Sequence, residues 1–476
     1  MPKPDIIIVG AGSAGCIQAR ELAARGLAVT LIEPPGSSCG ESKPATTADR
    51  QRPSHWLNLL GTGDDWDFQT QKVKSLAGRT LQWPRGRGLG GSSRINAMIW
   101  FPPTKSDFRM LAESVSATPQ AMKAAFAAVE SLIKPESPKW LSSSAMKFFA
   151  AAADLPGNEM IYQRVNRDGR RFNPADLLQD TDFLQNATVE IIRATVDRVV
   201  FSADKAVGVM TADGETISCT QSVVLSAGAI ATPMILMRSG IGPRDVLTQC
   251  GIDVRQDAPN VGANLQDHLI MPVVFGVEPK HAFSPEVSDG DVRCWETVGG
   301  GPVASNIAEA GGLFLDDQIQ IHVTPTHYLT YPDPKTVPAM TIGVNVTQPE
   351  SRGRLMISSA DPNAPPMIEP NYLSVENDLN KTIQGVRLAR EIAQHNLLAN
   401  FTTGELLPGK KRESDESIAK SIARFCQTLY HPVGTVGDVD LAAENLSVVD
   451  ASVLKRITVG NPNASVMTMA HCRAQA

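Results

Sequence analysis

An α/β fold on a parallel sheet, joined to a second and mostly antiparallel sheet with α+β character, is what this sequence predicts. Three observations predict it. The chain opens as a βαβ unit with a glycine-rich turn, a second glycine- and serine-rich turn follows at residues 83–98, and alternating β-branched runs appear beyond residue 310.

The opening unit is legible residue by residue. Ile6, Ile7, Ile8 and Val9 form a short apolar run suited to a strand buried on both faces. Gly10-Ala11-Gly12-Ser13-Ala14-Gly15 follows at once, and Ile17, Leu22, Ala23 and Leu27 then alternate with Gln18, Arg20, Glu21 and Arg25 as a half-exposed helix would. Gly26 ends that helix, and Ala28 to Ile32 makes the next strand, with Glu33 at its end. In this pattern Gly10 makes the tight turn, Gly12 lets backbone approach a pyrophosphate, and Gly15 packs helix on strand. The helix N-terminus offers free N–H groups to the phosphates. Glu33 is placed to accept from the adenosine ribose hydroxyls and disfavours a 2′-phosphate. The signature is that of a Rossmann-like dinucleotide-binding domain, and it leaves NAD and FAD open.

The second turn, Trp83-Pro84-Arg85-Gly86-Arg87-Gly88-Leu89-Gly90-Gly91-Ser92-Ser93-Arg94-Ile95-Asn96-Ala97-Met98, is poor core material. Glycine lets backbone lie against a ligand, and Ser92, Ser93 and Asn96 add donors and acceptors. A purely structural turn is the alternative, which the independent N-terminal signature weakens.

The remaining elements set the organisation. Val189 to Val196 reads as strand, and residues 114–160 are alanine-rich and helix-prone, with Trp140, Phe148 and Phe149 expected in a core, a mobile cap being the alternative. Residues 318–324, 339–347 and 354–358 read as strands, and 378–394 as a helix. The expected dinucleotide domain spans 1–275, with 114–185 partly cap or linker, and is completed by about 432–476. Residues 276–431 form the expected substrate-binding domain, a mostly antiparallel sheet roofing the cofactor with helices on its far side.

Composition excludes other classes. A net charge of −6 leaves no basic footprint for nucleic acid, and no apolar run is long enough to span a bilayer. Met1 to Pro4 lead straight into the first strand, so no signal peptide is expected. Seven scattered cysteines (16, 39, 219, 250, 294, 426 and 472) show no Cys-x-x-Cys spacing, so reduced thiols, no metal site and a cytoplasmic location are expected.

Taken in order, several segments resemble the glucose–methanol–choline (GMC) family of FAD-dependent oxidoreductases. They are the two turns above, Ser226-Ala227-Gly228-Ala229-Ile230-Ala231-Thr232-Pro233, Asn260 to His268, Glu369-Pro370-Asn371-Tyr372-Leu373, Tyr430-His431-Pro432-Val433-Gly434-Thr435, Val449-Asp450-Ala451-Ser452 and Asn461-Pro462-Asn463-Ala464. The resemblance implies FAD, with Ser13, Ala14 and Glu33 at the ADP half and Val196 meeting the adenine through its backbone. It implies Gly91, Ser92, Asn96, Ala97 and Ile99 along the pyrophosphate, ribityl and flavin region, and Asp450 and Ala451 beside the isoalloxazine and ribityl chain. Ile95 stands where some members carry a tethering histidine, so FAD is expected to be non-covalent. His431 matches the active-site base and Asn461 the second active-site residue, with Pro462 in the first turn of a helix aimed at the flavin.

The implied reaction is oxidation of a small-molecule alcohol to an aldehyde or ketone, by an oxidase using O2 or a dehydrogenase using a separate acceptor. A non-redox, FAD-containing lyase of the hydroxynitrile type is the alternative. Glu309, His327 and Tyr328 are candidate substrate contacts, although a structural salt bridge suits Glu309 equally. His322 belongs to one strand face. His268 is expected to brace a loop with Asp267, and His471 to be solvated. The chain departs from the family at Val436-Gly437-Asp438-Val439, where a loop is shortened, and in an abbreviated linker at 157–185.

Overall fold

A computed structural model describes residues 3–36, 45–284, 286–437 and 439–476. Met1, Pro2, Cys39 and Asp438, which enter the readings above, lie outside the described residues. Five strands form a parallel sheet in the order Val189–Arg193, Val29–Glu33, Ile6–Val9, Ser222–Leu225, Leu446–Val448. Its central strands are buried along their whole length, as their unbroken apolar runs require. Because every strand runs the same way, their carboxyl ends bring Gly10, Glu33, Ala194, Ser226 and Val449 to one edge, the ligand-binding edge of open α/β sheets.

The helix Ser13–Ala24 starts from Gly12 with no side-chain cap, leaving its first N–H groups open. Glycine is obligatory at two points of this turn. A Cβ on Gly10, whose φ is +100°, would lie 2.5 Å from the Ser226 carbonyl, and one on Gly15 would lie 1.9 Å from the Gly10 carbonyl. The C-terminal helix Asn463–Gln475 packs against Ser13–Ala24 and against Pro119–Ile133.

The second sheet is antiparallel, in the order Thr402–Leu407, Leu269–Val277, Ala339–Val346, Ile319–Thr324, Ala310–Phe314, Gly157–Ile161, with Gln427–Thr428 also on the Leu269–Val277 strand. Alternation decides what each face does. Ile319, Ile321 and Val323 share the face that packs against the helix Glu376–Gln394, where a Cβ on Gly385 would touch Val344 and Ile319. Gln320, His322 and Thr324 share the other face.

Five local expectations are corrected. The single run expected from Val189 to Val196 breaks at Ala194-Thr195, and Val196–Ser202 opens a separate antiparallel hairpin. Residues expected as linker supply Gly157–Ile161, an edge strand of the second sheet, and Leu269–Val277 of that same sheet runs across the boundary drawn at 275. Phe148 is core, but Phe149 is 36% exposed because it lies on the outer side of the helix Ser143–Ala152. Half-buried Trp140 meets Phe283 edge-on rather than joining the main core. The six described cysteines are all free, and no helix among the described residues is long and apolar enough to cross a membrane.

Candidate active site

A cleft of about 1540 Å³ runs from the carboxyl edge of the parallel sheet to the polar face of the antiparallel one. A small-molecule pocket usually occupies 300–1,000 Å³, so this one has room for a dinucleotide and a substrate together. Gly10, Gly12, Ser13, Ala14, Glu33 and Val196 line its first end. Gly91, Ser92, Asn96, Ala97 and Ile99 line the middle, and Asp450, Ala451, His431, Asn461 and Tyr328 complete it. Gly15 stands behind the turn, against Gly10.

Two helix N-termini converge here. Ser13 Oγ donates to Asn463 Oδ1 at 2.6 Å, joining the starts of Ser13–Ala24 and Asn463–Gln475. Asn463 Nδ2 is buried and has no partner among the described residues, a donor open to an acceptor from the cleft. Together with the open N–H groups of both helices, this suits an anionic group. Asp450 ties two cleft walls together, its carboxylate accepting from Gly228 N at 2.8 Å, Thr232 Oγ1 at 2.6 Å and Ser452 N at 2.7 Å.

Glu33 bridges the two glycine-rich turns, accepting from Ala11 N at 2.6 Å and from Gly88 N at 2.9 Å. Burial pushes its carboxyl up to about 7 despite those bonds. A carboxyl raised in the folded state binds more protons there than in the unfolded chain between its usual 4.5 and about 7, so this group's contribution to stability is lost as pH rises through that window. Glu33→Gln is therefore expected to gain melting temperature relative to wild type as cofactor-free protein is taken from pH 5 to pH 8. A difference between the two proteins that is independent of pH would contradict this.

At the other end, His431 is held by a turn in which Tyr430 has φ +65°, a costly conformation for a bulky residue. Three contacts fix it: His431 N donates to Asp267 Oδ1 at 2.7 Å, Tyr430 N donates to Thr428 Oγ1 at 2.7 Å, and Arg85 Nη2 donates to the Tyr430 carbonyl. Asp267 is fully paired, since its other oxygen accepts from Thr428 Oγ1 at 2.6 Å and from the Tyr372 hydroxyl.

The imidazole's partners dictate its tautomer. His268 Nε2 lies 2.9 Å from the Thr347 carbonyl, which can only accept, so that nitrogen carries the proton. The neutral His268 ring then has its lone pair at Nδ1, 3.0 Å from His431 Nδ1. His431 must therefore donate from Nδ1, which leaves the lone pair on Nε2, 3.2 Å from the Asn461 amide Nδ2. Asn461 is oriented in turn by Gln320, whose Nε2 donates to its Oδ1 at 3.3 Å. Burial, reinforced by His268, His322 and the Arg85 cation, holds His431 well below its usual range. Burial likewise lowers His268 to about 4 and His322 to about 3. The site is thus a neutral imidazole whose acceptor nitrogen faces a carboxamide on the cleft wall.

Several sequence readings change. His268 does not brace a loop through Asp267; it is hydrogen-bonded to His431, because antiparallel pairing of Leu269 with Thr428 brings the two together. Glu309 is off the cleft and fully buried, accepting from Ser142 and Ser305, with the nearby Arg164 cation too distant for a direct salt bridge. Tyr328 lines the cleft and His327 does not: Thr326 and Tyr328 take the inward positions and His327 falls between them. His471 is largely buried, 3.7 Å from Glu21 Oε2. Gln320 was missed, although its alternation with His322 and Thr324 marks the polar face of a strand.

Two models described as GMC oxidoreductase match residues 4–270 and 349–437. The chain is 30% identical to a Pseudomonas putida protein named alcohol dehydrogenase [acceptor], over 99% of this chain and 95% of that one. It is 30% identical to an oxygen-dependent choline dehydrogenase of Pseudomonas savastanoi pv. phaseolicola, over 98% and 92%. A crystal structure of pyridoxine 4-oxidase from Mesorbium loti superposes with a TM-score of 0.85 at 26% identity, covering 99% of each chain. With nearly the full length matched, a Rossmann-like sheet and a cleft sized and polarised for a dinucleotide, the chain belongs to the GMC oxidoreductase family and is an FAD-dependent oxidoreductase.

Proposed function

We propose that this enzyme oxidises an uncharged alcohol to an aldehyde or ketone, with His431 taking the hydroxyl proton at Nε2 and Asn461 holding the substrate oxygen. The observation that carries the reading is the fixed tautomer of His431, which presents an unprotonated nitrogen beside an amide donor. Bound FAD supplies the acceptor for the carbinol hydride. Ser13, Ala14, Glu33, Val196, Ser92, Asn96, Asp450 and Ala451 are the residues proposed to hold it, without a covalent tether because residue 95 is isoleucine. The substrate hydroxyl replaces the Asn461 N–H as donor to Nε2, and the freed amide N–H donates to the substrate oxygen. As the proton arrives, the Nδ1–H bond to His268 stabilises the imidazolium. O2 or a separate acceptor completes the cycle.

Two features support an uncharged substrate. Glu309 is withdrawn into Ser142 and Ser305, and the charged side chain that bears on His431 is Arg85, a cation. A quaternary ammonium would meet the Arg85 cation here, while the Asp267 carboxylate is already taken up by the His431 N–H, Thr428 and Tyr372.

The test is anaerobic mixing of the FAD-loaded protein with a panel of uncharged primary and secondary alcohols, including 3,3-dimethylbutan-1-ol, and with choline, its cationic isostere. Uncharged alcohols are expected to bleach the oxidised flavin band, and choline to do so at least about tenfold more slowly than its isostere. Faster bleaching by choline would overturn the charge assignment. An oxidised band that no alcohol bleaches, with cleavage of a hydroxynitrile, would establish the lyase reading instead.

A further inference from the structure

Among the described residues, Arg171 is a cation with no ion-pair partner. Its Nη1 donates to the Asn96 carbonyl at 2.8 Å, to Asn96 Oδ1 at 3.2 Å and to the Ser93 carbonyl at 3.2 Å. Its Nε and Nη2 are buried and have no hydrogen-bond partner among the described residues. No carboxylate among the described residues forms an ion pair with it, whereas neighbouring Arg94 is paired with Asp64 at 3.1 Å. Burial, with Arg94 adding like charge, lowers the guanidinium to about 9. A buried charge left unpaired is destabilising, so this arrangement needs a compensating partner.

What the guanidinium grips identifies that partner. Ser93 and Asn96 belong to the second glycine-rich turn and both line the cleft, while Arg171 stands behind them, off the cleft wall, so its charge acts through the turn. The turn is pressed against the dinucleotide loop: Gly90 N donates to the Ala11 carbonyl at 2.8 Å, and a Cβ on Gly91 would lie 2.7 Å from the Gly12 Cα. Asn96 Oδ1 also accepts from Met98 N at 3.0 Å, so the carboxamide is fixed through its oxygen and its Nδ2 remains available. Arg171 therefore draws two backbone carbonyls of the turn toward itself and sets the orientation of the Asn96 amide.

We infer that Arg171 is a positioning residue for the cofactor: it holds the 91–96 turn in shape, and its charge is balanced by the dianionic diphosphate of bound FAD. The inference rests on family membership and on this turn, and stands apart from the assignment of His431.

The test is titration of cofactor-free protein with FAD and, separately, with riboflavin, which lacks the diphosphate. Arg171→Gln is expected to raise the FAD Kd by ~30-fold and the riboflavin Kd by less than about twofold, with Arg171→Lys intermediate for FAD. An FAD Kd within about twofold of wild type in Arg171→Gln would overturn the inference. Equal weakening of FAD and riboflavin would also overturn it, by reducing Arg171 to a scaffold for the turn. Should Arg171→Gln fail to fold, the FAD-to-riboflavin ratio of Arg171→Lys decides between the same outcomes.

Discussion

Replacing His431 with alanine is expected to lower the anaerobic rate of flavin reduction by an alcohol at least about a hundredfold, while FAD content stays that of wild type. The size follows from what is removed. Hydride departure from the carbinol carbon requires the hydroxyl to lose its proton, and Nε2 of His431 is the acceptor nitrogen whose lone pair is fixed toward Asn461. Asn461 cannot substitute, because a carboxamide does not accept a proton near neutral pH. Cofactor retention separates chemistry from folding, since the contacts that hold the turn, Asp267 to the His431 N–H and Arg85 to the Tyr430 carbonyl, are made by backbone and survive the substitution. Stopped-flow loss of the oxidised flavin band measures it, and a rate near wild type would mean that the base is elsewhere.

The second large effect is expected at His268. Leucine there removes the acceptor for His431 Nδ1–H and leaves that donor facing hydrocarbon, which costs more than the bond itself was worth. The ring can then move its proton to Nε2, turning a donor toward the Asn461 amide and losing the base. The reductive rate is expected to fall between about tenfold and a hundredfold. His268→Gln should recover much of that loss, because its amide can accept from Nδ1–H and still donate toward the Thr347 carbonyl. A leucine variant as fast as wild type would show that the tautomer does not depend on His268. A glutamine variant no better than leucine would assign His268 to packing alone.

The parallel sheet was legible because its signal is local. Ile6 to Val9, the Gly10 turn and Glu33 lie within one short stretch, and each residue type answers a steric or electrostatic requirement of that stretch. His431 and Asn461 were legible only through resemblance, since a lone histidine before proline carries no chemistry by itself. What sequence could not show is what depends on pairing between distant strands. His268 reaches His431 across 163 positions through strand pairing, and Gln320 reaches Asn461 across 141 from a strand to a helix start, contacts that no local pattern encodes. Gly157–Ile161 was missed because glycine, asparagine and glutamate are weak strand formers. They become a strand because Gly157 leaves room for the Phe314 ring, where a Cβ would come within 2.3 Å. Glu309 was misread for the same reason: Ser142 lies 167 residues away in sequence and only the fold makes it a partner.

The most direct test of the account is the protonation of the two His431 ring nitrogens in the resting, FAD-loaded enzyme. Nitrogen-15 NMR of histidine-labelled protein, assigned by subtracting the spectrum of a His431→Gln variant, reads it. At pH 7 the expected ring is neutral, protonated at Nδ1 and bare at Nε2. A ring protonated at Nε2, or an imidazolium, would contradict the account.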